Sequence, residues 1–201
     1  SIQFNVYGVH FKASSGNSNA QERLQEATIL RDYLNNLSEN YFIVAGDFNI
    51  YYNSPSLEPA FEMLTGNADN NNGRLFDPID RIGPWHENSS YADVHTQSTC
   101  KHQPAHNGGA NGGLDDRFDW LFVSEAILDT SSEMQYIDNT YLTVGNDGSH
   151  FDQSINSGTN SSVSDAIADA LHDASDHLPV YMDVWFDDLT YNDAGIVITE
   201  I

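Results

Sequence analysis

Basic residues are scarce in this sequence. Seven Lys and Arg stand against thirty Asp and Glu, so the formal net charge is −23 at pH 7. A surface this acidic repels nucleic acid and anionic membranes at long range, and salt screens that repulsion within ~10 Å. The composition is therefore typical of a protein that works in salt, and a phosphate-containing substrate would need metal ions beside the local carboxylates.

Cysteine and long apolar runs are also nearly absent. The single cysteine, Cys100, excludes an intramolecular disulfide, and no apolar run has the length that a membrane-spanning helix needs. The 201 residues suffice for one domain with a substantial core. The sequence therefore predicts a globular domain held together by its own core.

Apolar patterning predicts an α/β fold. The segment 2–11 alternates apolar and polar residues as a strand does, and leucines at helical spacing between Leu24 and Leu37 predict a helix of about twenty residues. Five apolar residues from Tyr41 to Ala45 then predict a strand that is buried on both faces. Strand, helix and strand in that order form a βαβ unit, which places the two strands parallel.

Further elements are expected along the rest of the chain. Alternation or apolar periodicity predicts four more strands and two short helices: strands at 91–96, 117–124, 141–144 and 178–186, and helices at 55–64 and 163–172. The Asx-rich loop 67–73 lacks the spacing of an EF-hand and is predicted to be a plain loop. We predict one domain over 1–186, followed by a tail or edge strand over 187–201.

Six polar residues stand at the ends of the predicted strands or within them: His10, Asp47, Asn49, Asp119, Asp176 and His177. Asp119 lies among aromatic residues, where a carboxylate needs a partner because burying it alone is costly. In α/β sheets, ligands bind just beyond the carboxyl ends of central strands. We therefore expect the six side chains to meet in one cleft.

Four motifs, in order, resemble those of the endonuclease/exonuclease/phosphatase superfamily: Val9-His10-Phe11-Lys12, Gly46-Asp47-Phe48-Asn49, Arg117-Phe118-Asp119-Trp120-Leu121-Phe122-Val123-Ser124 and Ser175-Asp176-His177-Leu178-Pro179-Val180. That superfamily includes deoxyribonuclease I, abasic-site endonucleases, inositol polyphosphate phosphatases and bacterial sphingomyelinases. The resemblance implies a four-layer α/β sandwich of the deoxyribonuclease I type. The family's fold opens with a half-domain that carries an Asn and a metal-binding Glu. Since neither has a counterpart in this sequence, we expect the N-terminal part of the fold to be missing from the chain.

The resemblance also implies how a metal would be bound. Asp176 is the expected ligand of Mg²⁺ or Mn²⁺, with Asp47 and Asn49 as further candidates. These are hard cations, and they take oxygen ligands. The expected ligand set is short of one carboxylate, because the family's metal-binding Glu is absent.

The implied catalytic roles fall on five residues: His10, Asp47, Asn49, Asp119 and His177. Asp119 would orient His177 and raise its pKa, because a neighbouring carboxylate favours the imidazolium. His177 and Asp47 are both candidates for the base that accepts the proton of the attacking water. Asn49 would position water or phosphate, and His10 would donate a proton or hydrogen bond to the phosphate.

The predicted function is metal-dependent phosphodiester hydrolysis by an enzyme of the secreted bacterial nuclease type, with DNA or RNA as the substrate. One alternative is an enzyme with the same fold and metal but another substrate: a phosphomonoesterase, or a sphingomyelinase-like hydrolase of a phospholipid or sugar phosphate. Another alternative is an inactive or accessory fragment, with the N-terminal half of the same fold as its partner. Four residues suggest zinc, but their spacing matches no standard site and predicts an ordinary loop: His95, Cys100, His102 and His106.

Overall fold

A three-stranded sheet forms the centre of the computed structural model, which describes residues 2–102 and 108–187. The strands are β1 (Asn5–His10), β2 (Phe42–Asp47) and β3 (Asp119–Val123), in the order β1-β2-β3. β1 runs parallel to β2, and β3 runs antiparallel to it. The parallel pairing of the first two strands confirms the predicted βαβ unit.

Helix α1 (Asn17–Asn35) connects β1 to β2 and has 19 residues, as its leucine spacing predicts. Ala20, Ala27 and Leu34 lie seven residues apart, so they share one face and are buried. Helix α2 (Pro59–Thr65) packs against α1. The two helices cover one face of the sheet, where the largest apolar cluster lies.

The opposite face of the sheet is covered by a smaller apolar cluster that includes Ile43 and Val123. Two short strands contribute to this layer: β4 (Met134–Tyr136) and β7 (Val184–Phe186), which pair with each other. Helix α3 (Glu125–Leu128) adds Ile127. Val6 of β1 stays 60% exposed, so this layer covers the sheet only in part.

The prediction of a single strand over 178–186 is wrong. It is divided into β6 (Val180–Tyr181) and β7, which belong to different sheets. β6 pairs with β5 (Leu142–Thr143), whereas β7 pairs with β4. The alternating pattern continues through both strands, but the chain changes its pairing partner between them.

The strand predicted at 91–96 is also wrong. The segment Ser89–Val94 is a 3₁₀ helix, because the side chain of Asn88 accepts a hydrogen bond from the Ser90 backbone N–H and starts a turn. The predicted helix at 163–172 is present as α4 (Asp165–Ala174).

A buried ion pair fixes the start of β3. The Arg117 guanidinium donates to both oxygens of Asp77, at 2.9 and 3.0 Å, and lies 3.4 Å from the ring centroid of Trp120. Burial alone would lower the pKa of Arg117, but contacts with Tyr141 and Asp77 raise it. Because Arg117 stands two residues before Asp119, this pair anchors the backbone from which that carboxylate extends.

The described residues thus form a mixed α/β fold with three small sheets. The four-layer sandwich, the missing N-terminal part and the domain limit at 186 stay predictions. Of the tail predicted at 187–201, the part beyond Asp187 lies outside the described residues. Within residues 2–102 and 108–187, no helix has the length and apolar character needed to cross a membrane.

Candidate active site

One cleft of about 530 Å³ brings together all six residues that the sequence analysis selected. Its walls also include residues from four other segments: Ala13, Ser14, Tyr51, Gln97 and Ala110. The structure thus places the six side chains as expected from their positions at strand ends. Their catalytic and metal-binding roles stay predictions.

The central sheet aligns three of these residues across its end. His10 is the Cα partner of Asp47 in the parallel pair, and Asp47 is the Cα partner of Asp119 in the antiparallel pair. His10 and Asp47 therefore end their strands where Asp119 begins its own. The three side chains stand side by side because their strands share this register.

Hydrogen bonds of Thr96 link the start of β3 to the residues before β6. The Thr96 hydroxyl accepts hydrogen bonds from the backbone N–H groups of Phe118 and Asp119, at 3.0 and 3.2 Å. The Thr96 carbonyl accepts from Leu178 N–H at 2.8 Å. Thr96 therefore fixes the backbone of Asp119 relative to that of Leu178, the residue that follows His177.

His177 and Asp119 form a short hydrogen bond. Nδ1 of His177 donates to Oδ2 of Asp119 across 2.7 Å, and both side chains are largely buried. Burial lowers the pKa of His177, but the hydrogen bond and negative charge of Asp119, together with Asp47 and Asp176, outweigh burial and raise it. Nε2 of His177 lies 3.8 Å from Oδ2 of Asp47.

Asp47 is held by the turn that follows β2. Its Oδ1 accepts the Asn49 backbone N–H, and its Oδ2 accepts the Asn49 carboxamide, both at 2.8 Å. The same carboxamide donates to the Phe11 carbonyl at 3.2 Å, so Asn49 is buried and braces Asp47 in this structure. Burial raises the pKa of Asp47, and Asp119 adds to that rise against the opposing effects of His177 and the Asn49 N–H.

Gly46 allows β2 to approach β1 closely beside Asp47. Its φ is +145°, and a Cβ added there would lie 1.9 Å from the carbonyl oxygen of Val9. Such a distance is impossible for any residue with a side chain, so only glycine fits. The close approach of β2 to β1 thus explains why the Gly46-Asp47-Phe48-Asn49 motif begins with glycine.

Asp176 is held by the loop 108–113. Its Oδ2 accepts the Ala110 backbone N–H at 2.8 Å and lies 3.4 Å from the carboxamide nitrogen of Gln97. His10, by contrast, is exposed, with Nε2 3.5 Å from Oδ2 of Asp47. Asp176 is therefore fixed in position, whereas His10 stands at the open side of the cleft.

The carboxylates of the cleft do not make a complete metal centre. Within the described ranges, no three His, Cys, Asp or Glu side chains are grouped so that they could hold a metal ion. Both oxygens of Asp47 accept hydrogen bonds from Asn49, and one oxygen of Asp176 accepts from Ala110. The metal-binding roles of Asp176, Asp47 and Asn49 therefore stay predictions.

Sequence reasoning missed Tyr51 and Gln97 as residues of the cleft. Tyr51 follows Asn49 by two positions, and its ring is held edge-on to Phe118 and His86, with centroid distances of 4.6 and 5.3 Å. Its position so soon after the Asp47 motif was a usable signal. Gln97 directly follows the segment 91–96, where the predicted strand is wrong, and a single glutamine there was not recognised as a site residue.

Of the four residues that suggest zinc in the sequence, three lie in the described part of the chain. His95 is buried, with Nε2 2.9 Å from the Trp85 carbonyl oxygen, and Cys100 donates from Sγ to the carbonyl of His102 at 3.2 Å. His106 lies outside the described residues. His95 and Cys100 thus contact backbone groups, as in an ordinary loop.

None of the seven Lys and Arg residues lines the cleft in the described part of the chain, although Lys12 beside it donates from Nζ to the carbonyl of the lining residue Ala13 at 3.3 Å. Three buried Arg residues are engaged with acidic groups or backbone carbonyls, Arg23, Arg31 and Arg117, and the partly buried Arg74 donates to the Thr65 carbonyl. Arg81 pairs with Asp93, and Lys101 with Asp152. The lining of the cleft is therefore acidic, with its histidines and the adjacent Lys12 as cationic candidates.

Comparisons with known proteins give distant structural similarities. The chain matches no protein-family model and no curated protein sequence. It is similar to the crystal structure of SmcL, with 16% identity and a TM-score of 0.36, covering 91% of this chain and 53% of that one. It is also similar to beta toxin from Staphylococcus aureus, with 14% identity and a TM-score of 0.36, covering 89% of this chain and 51% of that one. The chain thus spans about half the length of these two structures, and similarities this distant do not decide its family.

Proposed function

We propose that this protein is a phosphodiester hydrolase whose reaction takes place at the cleft of His177 and Asp119. The observation that carries this proposal is the short Nδ1–Oδ2 hydrogen bond between them, with Nε2 of the same imidazole directed among further carboxylates. A histidine whose one nitrogen is fixed by a carboxylate has its other nitrogen available for proton transfer.

The chain's own residues have distinct parts in this proposal. Asp119 orients the imidazole and stabilises its charged form, so His177 can accept a proton from an attacking water. Asp47 is the second candidate for this base, because burial raises its pKa and lets it bind a proton more readily. His10 is exposed at the cleft entrance, where it can donate a hydrogen bond to the phosphate.

A divalent cation, Mg²⁺ or Mn²⁺, belongs to the proposal on electrostatic grounds. Asp47, Asp119 and Asp176 line one cleft that contains no Lys or Arg among the described residues. A phosphodiester anion entering it would be repelled unless positive charge were supplied, and metal ions commonly supply it in phosphoryl chemistry. Since the described residues do not complete a ligand set, the metal requirement rests on this charge argument and on the motif resemblance.

The motif resemblance favours a nuclease of the secreted bacterial type, with DNA or RNA as the substrate. A second candidate is a phospholipid or sugar-phosphate hydrolase, and the distribution of charge favours it. Nucleic-acid binding relies on Lys and Arg at the phosphate backbone, whereas the cleft wall carries none in the described part of the chain. A small substrate with a single phosphodiester makes fewer demands on such residues.

Parallel assays of the 201-residue chain test these candidates. The substrates are bis(p-nitrophenyl) phosphate, p-nitrophenyl phosphate, supercoiled DNA, RNA and sphingomyelin in mixed micelles, each with Mg²⁺, Mn²⁺ or EDTA. Phosphodiester hydrolysis that EDTA abolishes and His177→Ala removes supports the proposal. Absence of turnover on every substrate would favour the inactive or accessory fragment, and cleavage of the monoester alone would favour a phosphomonoesterase.

A further inference from the structure

Gln97 lies where three segments of the cleft wall meet. Its backbone N–H donates to the Asp116 carbonyl at 3.1 Å, and its carbonyl accepts from the N–H groups of Asp115 and Asp116, at 2.9 and 3.1 Å. An isolated antiparallel bridge also joins Gln97 to His177. The Gln97 side chain therefore extends from a backbone that is fixed on both sides.

The carboxamide of Gln97 contacts two of the six candidate residues. Its Nε2 lies 2.7 Å from Nε2 of His177 and 3.4 Å from Oδ2 of Asp176. A carboxylate oxygen only accepts hydrogen bonds, so the carboxamide must turn its NH₂ group toward Asp176. The same NH₂ group then meets Nε2 of His177 as a donor.

The contacts at the two ring nitrogens are compatible with one neutral form of the imidazole. Nδ1 faces the Asp119 carboxylate, which only accepts, so Nδ1 carries a hydrogen, and in the neutral ring Nε2 presents its lone pair to the N–H of Gln97. Nε2 of His177 and Oδ2 of Asp176 are 4.0 Å apart, and in the neutral form of the imidazole both are acceptors. Without the NH₂ group of Gln97, neither atom would have this hydrogen-bond donor. Losing a hydrogen-bond partner in a partly buried cleft costs free energy.

We propose that Gln97 is a positioning residue of the cleft, whose NH₂ group bridges Nε2 of His177 and Oδ2 of Asp176. The bridge fixes the rotation of the imidazole together with Asp119, so His177 is held at both nitrogens. Nε2 is also the nitrogen that must meet the substrate or water. Gln97 therefore holds the imidazole in place until that contact replaces its own.

The hydrogen bond itself is tested by NMR on the ¹⁵N-labelled protein, which does not depend on any activity. An N–H···N hydrogen bond transmits a ¹⁵N–¹⁵N coupling, so we expect one between Nε2 of Gln97 and Nε2 of His177, and its loss in Gln97→Leu. His95 is the internal control, because its Nε2 faces a carbonyl oxygen and has no nitrogen partner to couple with. Assigned resonances of both side chains without a coupling in the wild type would overturn the proposal.

The kinetic arm rests on the proposed function and uses the phosphodiester that the wild type hydrolyses best. We expect Gln97→Leu to lower kcat about tenfold or more, because a poorly oriented base loses much of its effect, with KM changed less than about twofold. Gln97→Glu keeps the size but replaces the donor by an acceptor, so it should lose at least as much. The exposed Gln21→Leu on α1 is the matched control.

The two arms separate failure of this inference from failure of the proposed function. Wild-type activity in Gln97→Glu would show that Gln97 only fills space and would overturn the bridge. A rise in KM with kcat unchanged would also overturn it, because that result assigns Gln97 to substrate binding. If the wild type hydrolyses no phosphodiester, the proposed function fails, while the ¹⁵N coupling still decides whether the bridge exists.

Discussion

Asp119 accepts a 2.7 Å hydrogen bond from Nδ1 of His177, a residue 58 positions away in the chain. Replacing Asp119 with Asn keeps the shape but removes the charge that orients and stabilises the imidazolium. We expect Asp119→Asn to lower kcat well over tenfold in the phosphodiester assay. Asp138→Asn, an exposed substitution outside the cleft, should leave kcat unchanged. Equal kinetics for the two variants would refute the pairing as a catalytic feature.

Asp115 gives the stability of the protein a pH dependence. Burial, then the negative charge of Asp116, raises the pKa of Asp115 to about 7, whereas an unfolded Asp titrates near ~3.9. Between these values the folded state binds a proton that the unfolded state does not, so this contribution to stability falls as pH rises from about 4 to about 7. Asp115→Asn should therefore gain stability relative to the wild type at pH 8 and show little of that gain at pH 4, measured by urea unfolding.

The βαβ unit and helix α1 could be predicted because their signals are local. The leucine spacing between Leu24 and Leu37 and the apolar run of β2 each depend on neighbouring residues alone. Convergence of the six cleft residues followed from the same patterns, since strand ends on one side of a sheet lie close together. The identity of the partner of Asp119 came from the motif resemblance, because no local pattern reports a contact across 58 positions.

The parts that could not be predicted depend on distant partners. The alternation in 178–186 does not show that Tyr181 and Val184 pair with different strands. Likewise, Gln97 reaches the cleft through bridges to Asp116 and His177, which lie far from it in sequence. The 3₁₀ helix after Asn88 arises from a side-chain hydrogen bond, which competed successfully with the strand tendency of the apolar residues that follow.

Gly46 should be intolerant of even the smallest side chain. In Gly46→Ala, the added Cβ would collide with the Val9 carbonyl on the neighbouring strand. We expect the free energy of unfolding to fall by about 3 kcal/mol or more, because backbone must shift to relieve the overlap. Gly8→Ala on β1 is the control, since nothing lies within 4 Å of its added Cβ, and it should change stability by less than about 0.5 kcal/mol. Similar urea midpoints for both variants would contradict the close approach of the strands.

Asp77 and Asp93 offer a matched pair of ion-pair deletions. Asp77→Asn leaves the fully buried Arg117 guanidinium without its counter-charge, so we expect a loss of about 3–5 kcal/mol in the free energy of unfolding. Asp93→Asn removes the partner of the more exposed Arg81 and should cost less than about 1 kcal/mol. Chemical denaturation of both variants at neutral pH gives the two free energies of unfolding. A larger loss for Asp93→Asn would contradict the conclusion that the Asp77–Arg117 pair is the stabilising anchor.

Metal binding by this chain should be weak. Mg²⁺ holds its waters tightly and needs several well-placed oxygen ligands, and the cleft offers Asp47, Asn49 and Asp176 as the expected ones. Within residues 2–102 and 108–187 no three candidate ligands come together. We therefore expect titration calorimetry with Mg²⁺ or Mn²⁺ to show no saturable site tighter than about 1 mM. Asp176→Asn, compared with the exposed Asp138→Asn, separates a true site from the general attraction of cations to a chain of charge −23. Micromolar binding that only Asp176→Asn removes would show that this chain completes its own metal centre, against our account of the ligand set.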